Sequence, residues 1–365
     1  ILYAIIIFNI SNGAAVITRG VFFYTEKEKI MSKVYISPSY QPALGLYETQ
    51  TAIGILKREF ETRLAASLNL KRVSAPLFVD PLTGLNDNLN GTERAVRFDI
   101  KETGTDAEVV HSLAKWKRMA LHSYGFESGE GLYTDMNAIR RDEEMDNTHS
   151  IYVDQWDWEK VISPAERNRC YLMDTVKKIV DSAVNTHNVL KKQFPQLETE
   201  LSKDVSFVTS QELEDMYPEL SPKERENEFL RDHRTAFIMN IGDLLRSGER
   251  HDGRAPDYDD WSLNGDILFW NETLQCAFEI SSMGIRVDSK AMDYQLSKSL
   301  CDDRRTLKFH SMVIDEVLPL TMGGGIGQSR LSMLLLEKLH IGEVQSSIWD
   351  EYTLDICSKS GIPLL

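Results

Sequence analysis

The stretch DILFWNETLQCAFEISSMGIR, residues 266–286, decides the fold of this chain. Two runs of strand-forming residues flank a short polar connection of hairpin length at 271–274, which is typical of two strands joined by a tight turn. We therefore predict antiparallel strands over residues 266–270 and 275–286. Strands this close in sequence favour an α+β fold with an antiparallel sheet over the strand–helix alternation of a doubly wound sheet.

Periodic segments extend this prediction in both directions. Apolar residues at helical spacing predict amphipathic helices over residues 49–68 and 111–124. The sequence SPAE at 163–166 combines a helix cap, a first-turn proline and a capping-box acid, so a helix should begin there and run to about residue 192. Glycines and asparagines over 84–91 predict a loop. Further strands are predicted at residues 73–77, 96–100, 151–153, 205–208 and 235–241.

The composition is that of a globular protein with an acidic surface. The chain has 365 residues, of which 42% are hydrophobic, and 56 acidic against 41 basic residues give a net charge of −15. Such a surface repels phosphate backbones, so nucleic-acid binding is not expected. The cysteines have neither disulfide-framework nor zinc-site spacing, which favours a reducing, cytoplasmic location: Cys170, Cys276, Cys301 and Cys357.

Residues 1–30 differ from the rest of the chain. They begin with the apolar run ILYAIIIF, which is too short to span a membrane and lacks the basic flank of a signal peptide. We expect residues 1–30 to be an N-terminal extension that is disordered or an artefact of the gene model. Residues 31–365 are then expected to form one α+β domain without a membrane segment.

A glycine-rich segment precedes a helix near the C-terminus. MGGGIGQSR, residues 322–330, leads into leucines at helical spacing. Glycines let a ligand approach the backbone and helix starts bind anions, which suggests a nucleotide site, but no P-loop or dinucleotide fingerprint is present. A tight helix–sheet contact explains the glycines equally well. Arg330 opposes the dipole in the first turn of the helix, which indicates contact with a negative ligand.

Two acids of the predicted hairpin, Asp266 and Glu279, stand among apolar residues, and alternation directs both carboxylates away from those neighbours. If they share one face, they can bind Mg²⁺ together with water and phosphate oxygens. A solvated polar face is the alternative, and the pattern alone does not decide between the two.

Charged residues are dense in three other segments. HSLAKWKR, residues 111–118, places three cations around a tryptophan, and a solvated helix face is the ordinary interpretation. NAIRRDEE, residues 137–144, and RHDGRAPDYDDW, residues 250–261, combine both signs with loop-forming residues, and such loops often carry function. Three histidines are too scattered for a metal site: His111, His149 and His251. We expect them to stabilise the fold or to contact the residues that bind the ligand.

Taken together, seven blocks closely resemble the aspartate–ammonia ligase family, the ammonia-dependent asparagine synthetases. The similarity runs from about Tyr35 to the C-terminus. The blocks are HSLAKWKR, GEGLYT (129–134), YVDQWDWE (152–159), RAPDYDDW (254–261), NGDILFWN (264–271), FEISSMGIRVD (278–288) and GGGIGQSRL (323–331).

The resemblance implies a fold similar to the catalytic domain of class II aminoacyl-tRNA synthetases, an antiparallel sheet flanked by helices that is usually dimeric. It also implies an ATP-dependent ligase in which the β-carboxylate of L-aspartate attacks the α-phosphate. This first step gives β-aspartyl-AMP and pyrophosphate. Ammonia then attacks β-aspartyl-AMP, which releases L-asparagine and AMP.

The family's nucleotide-binding residues can be matched to positions in this chain. Arg140 resembles the motif 2 arginine, which holds the α-phosphate and the attacking carboxylate, and a planar cation lowers the repulsion between these two anions. Arg330 resembles the motif 3 arginine on the phosphates, while Asp266 and Glu279 match the magnesium-side acids. The other positions matched to the nucleotide site are Asp259, Ser281 and Arg286.

Aspartate-binding positions of the family correspond to Asp87, Ser112, Lys117, Gln155 and Asp157. Lys117 and Arg330 are expected to neutralise a substrate carboxylate, and Asp157 to bind the α-ammonium. Ammonium is largely protonated at neutral pH, so a carboxylate must take its proton. Asp87 is the candidate general base.

Departures from the family pattern, in the loop 84–91 and in a short stretch at 261–264, remove no predicted catalytic group. An aspartyl- or asparaginyl-tRNA synthetase would ordinarily add an anticodon-binding module and a basic surface. A glutamine-dependent enzyme needs a nucleophilic cysteine at its mature N-terminus, where Ser32 follows Met31. A non-catalytic binding paralogue would be expected to lose charged site residues. We therefore expect a cytoplasmic homodimer that uses ATP, Mg²⁺, aspartate and ammonia, and binds neither nucleic acid nor membranes.

Overall fold

The computed structural model describes residues 34–86 and 93–365, and the backbone of two short strands nearer the N-terminus. The described strands are β1 (Ile10–Ser11), β2 (Ala14–Ala15), β3 (Leu70–Arg72), β4 (Phe78–Val79), β5 (Arg97–Ile100), β6 (Thr105–Val109), β7 (Gly131–Ile139), β8 (Tyr152–Val161), β9 (Ser206–Thr209), β10 (Thr235–Met239), β11 (Asp259–Asn271), β12 (Cys276–Arg286) and β13 (Thr321–Gly327). The described α-helices are α1 (Leu46–Leu68), α2 (Ala114–Ser123), α3 (Arg169–Gln193), α4 (Ser210–Met216), α5 (Pro222–His233), α6 (Ser289–Lys298), α7 (Lys308–Ile314), α8 (Gln328–Leu335) and α9 (Glu351–Lys359). Apart from β1 and β2, the expected extension over 1–30 lies outside the described residues, and the single domain over 31–365 stays a prediction.

Helices predicted from apolar spacing are confirmed in α1 and α2. The capping box at Ser163 and Glu166 is present, but it closes only a 3₁₀ turn at Pro164–Glu166. The long helix α3 begins at Arg169, because the Asn168 side chain accepts a hydrogen bond from the backbone N–H of Tyr171 and caps the new start.

The predicted hairpin is β11 and β12, which pair in antiparallel fashion with Asn271 opposite Cys276. They belong to an eight-stranded sheet in the order β3-β7-β8-β13-β12-β11-β10-β9. The pairs β3–β7 and β9–β10, at the two edges, are parallel and the inner pairs are antiparallel. The predicted α+β class with an antiparallel sheet is therefore confirmed.

One strand prediction is wrong. Residues 73–77 connect β3 to β4 without forming a strand. Pro76 has no N–H to donate to a ladder, and the chain moves here from the large sheet to a small one, ordered β4-β6-β5. The predicted strand at 96–100 is confirmed as β5 in this small sheet.

The two faces of the large sheet are covered differently. On one face α1, α3 and α8 pack over a continuous apolar core that contains Trp156, Trp158, Met283 and Ile326. On the other face α2 packs on β7 and β8 near one edge, and α4 and α5 pack near the opposite edge. The middle strands β8, β13 and β12 therefore present polar side chains to an uncovered area.

Within the residues that the structure describes, every helix is too short or too polar to cross a membrane.

Candidate active site

A cavity of about 470 Å³ lies over the uncovered strands. Asp266 does not line it but is ion-paired with Arg254, which does. Asp87 lies outside the described residues. The remaining predicted site residues all line the cavity: Ser112, Lys117, Arg140, Gln155, Asp157, Asp259, Glu279, Ser281, Arg286 and Arg330.

The glycine-rich segment forms strand β13 and makes room at the floor of this cavity. A Cβ atom on Gly323 would collide with the carboxylate of Glu159, and one on Gly325 with the side-chain amide of Gln155. The glycines thus allow the long side chains of β8 to lie flat across β13. The helix predicted after them is α8, and Arg330 lies in its first turn as expected.

Five buried side chains, which we call the floor network, form a continuous ionic chain under the cavity. Arg286 donates to both carboxylate oxygens of Glu159 over 2.7–3.0 Å and pairs with Asp259. Lys117 pairs with Asp157 and donates to two backbone carbonyls at 2.9 and 3.3 Å. A distance of 3.8 Å between Lys117 Nζ and Glu159 Oε2 joins the two halves.

Burial and charge act in opposite directions on the pKa values of the floor network. Burial raises the pKa of Asp157 more than Lys117 lowers it. Burial alone would also raise the pKa of Glu159, but the charge and hydrogen bonds of Arg286 hold it below its usual value. The pKa of Lys117 falls because burial outweighs its carboxylate neighbours. Asp157 Oδ2 is buried without a hydrogen-bond partner, so it is available to a cationic ligand.

Interpreting the basic segment as a solvated helix face is wrong. Lys115, Lys117 and Arg118 are each at most 5% exposed. The helix α2 packs on β7, β8 and β13, so its cations meet protein acceptors. Lys115 pairs with Asp257 over 3.3 Å, and Arg118 donates to two backbone carbonyls at 2.7 and 2.9 Å. A one-dimensional charge pattern cannot reveal acceptors that come from distant strands and loops.

A second set of charged residues, the rim group, is more exposed and consists of Arg140, His149, Glu279 and Arg330. Arg140 directly follows β7, its Nε has no hydrogen-bond partner, and its Nη1 lies 3.8 Å from Glu143. Arg330 Nη1 lies 3.1 Å from the carbonyl oxygen and 3.5 Å from a carboxylate oxygen of Glu279. Two guanidinium groups with unused donors therefore face one cavity, which suits a polyanionic ligand.

The hairpin register puts the two predicted metal-binding acids on one face. Ser282 lies opposite Asp266, and Glu279 lies opposite Leu268. Residues two apart on a strand share a face, so Asp266 and Glu279 do so. A register shift at Ile267 is needed for this, because regular pairing would have placed Glu279 opposite Phe269 on the other face.

These two acids fit a divalent cation. Asp266 Oδ1 is buried without a partner, and burial raises the pKa of Asp266 to about 7, with Arg254 opposing the rise and the charge of Glu279 adding to it. In residues 34–86 and 93–365 no cluster of three or more His, Cys, Asp or Glu side chains forms a metal site. Mg²⁺ is commonly held by one or two carboxylates with water and phosphate oxygens, so a pair is sufficient.

The sequence did not identify Glu159 and Arg254 as residues of the site, and it predicted only a supporting role for His149. Glu159 anchors the floor network, and it continues the period-two alternation of Gln155 and Asp157, so this signal was available. Arg254 pairs with Asp266, and His149 Nε2 lies 2.6 Å from Arg330 Nη2. Neither contact follows from periodicity, since 12 residues separate Arg254 from Asp266 and 181 separate His149 from Arg330.

Comparison with known proteins places these observations in context. A family model described as "Aspartate-ammonia ligase" matches residues 47–361. A protein of that name from Ruminiclostridium cellulolyticum is 58% identical over 92% of this chain and its own full length. One from Bacillus cytotoxicus is 57% identical over 89% of this chain and 99% of its own length.

Solved structures similar to this one include two asparaginyl-tRNA synthetases in complex with asparaginyl-adenylate. The enzyme from Pyrococcus horikoshii aligns with a TM-score of 0.60 and 13% identity over 82% of this chain and 68% of its own. The enzyme from Entamoeba histolytica gives 0.58 and 10% over 82% of this chain and 66% of its own. At such low identity the likeness establishes the fold, which is that of a class II synthetase catalytic domain.

Proposed function

The chain belongs to the aspartate–ammonia ligase family, and we propose that its reaction takes place in the cavity over β8, β12 and β13. It makes L-asparagine from L-aspartate and ammonia at the expense of ATP. The related proteins match nearly the whole chain, so the alternative of an aminoacyl-tRNA synthetase is not favoured.

One observation supports placing the active site in this cavity: it is lined by Arg140, Arg330 and Glu279 together with Lys117 and Asp157. The first three supply cations and a carboxylate for a nucleotide with its metal ion. The last two belong to the floor network, on the same cavity wall as Gln155 and Ser112. Aspartate and ATP are both anions, so an enzyme that joins them must present cations to both.

Activation of aspartate follows from this arrangement. The β-carboxylate attacks the α-phosphate of ATP, a new C–O–P linkage forms, and pyrophosphate leaves. Arg140 has an unpaired Nε, and its Nη1 lies 3.8 Å from Glu143, so its guanidinium has donors with which to bridge the attacking carboxylate and the α-phosphate. Arg330 binds the phosphates beyond it and stabilises the charge of the departing pyrophosphate.

Recognition of aspartate uses the floor network. The unpaired Asp157 Oδ2 accepts from the α-ammonium, and Gln155 lies beside it on β8. Lys117 contributes its positive charge to the pocket, while its hydrogen bonds to Asp157 and two carbonyls keep that carboxylate in place. A rigid pocket of this kind lowers the entropy cost of aligning the β-carboxylate.

Mg²⁺ is proposed to bind at Asp266 and Glu279. When bound, it neutralises phosphate charge and reduces the repulsion that an approaching carboxylate meets. Arg254 pairs with Asp266 and Arg330 with Glu279, and these pairs would hold the two carboxylates in place for the metal ion.

In the second step ammonia attacks the β-carbonyl and AMP leaves. Asp87 as the base that deprotonates ammonium stays a prediction, as do the homodimer, the cytoplasmic location and the lack of nucleic-acid binding.

The test is an assay of purified protein with aspartate, ATP and Mg²⁺, in which AMP, ADP and asparagine are measured with ammonium, glutamine or tRNA as acceptor. We expect stoichiometric AMP and asparagine that rise with ammonium at constant pH. Formation of ADP would reject adenylation. AMP release that does not depend on ammonium would reject the second step. Formation of aminoacylated tRNA would favour an aminoacyl-tRNA synthetase.

A further inference from the structure

His149 makes the shortest side-chain contact of Arg330. Arg330 Nη2 donates to His149 Nε2 over 2.6 Å, while Nη1 donates to the Glu279 carbonyl over 3.1 Å. A guanidinium has only donors, so His149 Nε2 must be the acceptor and must carry no proton. Both ends of the Arg330 guanidinium are therefore held before any ligand binds.

Asp146 determines which nitrogen of His149 carries the proton. His149 Nδ1 lies 2.9 Å and 3.1 Å from the two carboxylate oxygens of Asp146, and 2.9 Å from Thr148 Oγ1. A lone pair on Nδ1 would be repelled by that carboxylate, so the proton resides there. Asp146 is itself fixed by the backbone N–H groups of Thr148 and His149, at 2.7 and 2.9 Å, and His149 lowers its pKa against the effect of burial.

We propose that His149 is a positioning residue that orients Arg330 toward the phosphates of ATP, and that Asp146 fixes the tautomer this requires. The inference rests on the proposed function, because it takes Arg330 to be a phosphate ligand. The chain Asp146–His149–Arg330 runs from the loop between β7 and β8 to the first turn of α8, so it also ties these two segments across the rim of the cavity.

An indirect role is favoured over direct contact between His149 and phosphate. Nδ1 is occupied by Asp146 and Thr148, and Nε2 is an acceptor in this arrangement, which cannot bind an unprotonated phosphate oxygen. The imidazole can therefore influence the nucleotide only through the guanidinium that it holds.

The first experiment compares His149→Phe with His149→Gln in the steady-state assay. Phenylalanine keeps a flat ring without an acceptor, whereas the glutamine carbonyl can accept from Arg330. We expect His149→Phe to lower kcat/KM for ATP by roughly tenfold to a hundredfold, the loss that one hydrogen bond to a charged group accounts for. We expect His149→Gln to recover most of this, with KM for aspartate unchanged in both variants. Equal losses in the two variants, or a loss confined to aspartate, would overturn the proposal.

The second experiment is a double-mutant cycle that separates this inference from the proposed function. If His149 acts only through Arg330, His149→Phe should cause no further loss in an Arg330→Ala background. Full additivity would overturn the positioning role. Wild-type kinetics for Arg330→Ala would instead reject Arg330 as a phosphate ligand, and the proposed function of the rim group would fail with it.

The tautomer has a spectroscopic test. Nitrogen NMR of ¹⁵N-histidine-labelled protein, assigned by comparison with His149→Gln, should show His149 protonated on Nδ1 at neutral pH. Asp146→Asn should shift the signal toward the Nε2 tautomer, because the amide can donate to Nδ1, and should reduce kcat/KM for ATP in parallel. A wild-type signal from the Nε2-protonated form would contradict the proposal, whatever the kinetics.

Discussion

The two faces of the central sheet are built by the same strands but perform different tasks. On β8, Trp156 and Trp158 face the packed core, whereas Asp157 lines the cavity and Glu159 lies buried in the floor network beneath it. The packed face excludes water with three helices, and its stability comes from apolar area. The cavity face is left uncovered between α2 and α5, and it is charged. The comparison teaches that one strand can serve stability and chemistry together, because alternation assigns them to separate sides.

The cavity face is itself divided by burial. The floor network is closed, since nearly every donor of Lys117 and Arg286 already has a protein acceptor. The rim group is more open, since the side chains of Arg140 and Arg330 are 26% and 23% exposed and Arg140 Nε has no hydrogen-bond partner. Buried ion pairs are costly to break because the remaining partner is left uncompensated. The floor network should therefore influence folding as well as catalysis, and the rim group catalysis alone.

Arg286→Ala should have the largest effect, because it should reduce both the stability of the fold and the activity. It leaves Glu159 and Asp259 as adjacent buried carboxylates, so we expect the free energy of unfolding to fall by about 3–5 kcal/mol. Urea denaturation followed by circular dichroism measures this, and asparagine synthesis should be lost as well. A loss below about 1 kcal/mol, within the range of an exposed pair, would show that the floor network does not support the fold.

Arg140→Ala should affect the chemistry without affecting the fold. We expect kcat/KM for AMP formation to fall by roughly 100- to 1000-fold, as for removal of one transition-state donor, with an unchanged unfolding curve. Arg141→Ala is the matched control, because Arg141 is the next residue, is exposed and does not line the cavity. Similar losses in both variants would indicate a general charge effect rather than a site contact.

The sequence predicted the elements whose identity depends on neighbours along the chain. The apolar spacing that buries Leu56, Phe60 and Leu64 predicts α1, and the two strand-like runs on either side of 271–274 predict the β11–β12 hairpin. Most of the site was located through the family resemblance, since the role of Arg140 has no signature in spacing. What the local pattern supplied was the expectation that Arg330 lies at a helix start and contacts a negative ligand, and the possibility that Asp266 and Glu279 share a face.

The features that the sequence did not reveal depend on distant parts of the chain. The glycine-rich segment is a strand paired with β8 and β12, and glycine is required at 323 and 325 because the side chains of β8 occupy the space above them. Lys115 is buried because Asp257, His310 and Arg304 converge from segments more than a hundred residues away. Burial and charge compensation are properties of tertiary contacts, and a charged helix looks the same in sequence whether its partners exist or not.

Buried histidines on the packed side of the molecule predict that the free energy of unfolding falls in acid. Burial lowers the pKa values of His187 and His340 to about 4, so each binds its proton more readily when unfolded. The stabilisation is complete above the ordinary pKa near 6.5 and is lost as the pH falls toward 4, by about 2 kcal/mol per histidine at pH 5. Urea unfolding at pH 7.5 and 5.0 measures this. His187→Leu should remove its share of the pH dependence, and an unchanged slope in that variant would contradict the assignment.

The smallest effects are expected from substitutions at two adjacent residues whose side chains lie on opposite faces of β13. Ile326 is fully buried in the packed core, so Ile326→Val should cost about 0.5–1.5 kcal/mol of unfolding free energy and leave the kinetics unchanged. Gly325 faces the cavity, where an added methyl group would displace the side chain of Gln155. Gly325→Ala should therefore raise KM for aspartate, if Gln155 binds that substrate as proposed. The opposite result would be that Ile326→Val alters KM for aspartate and Gly325→Ala alters only the free energy of unfolding. The direction of a side chain on β13 would then not decide whether it affects stability or substrate binding, because the strand would transmit each change to its other face.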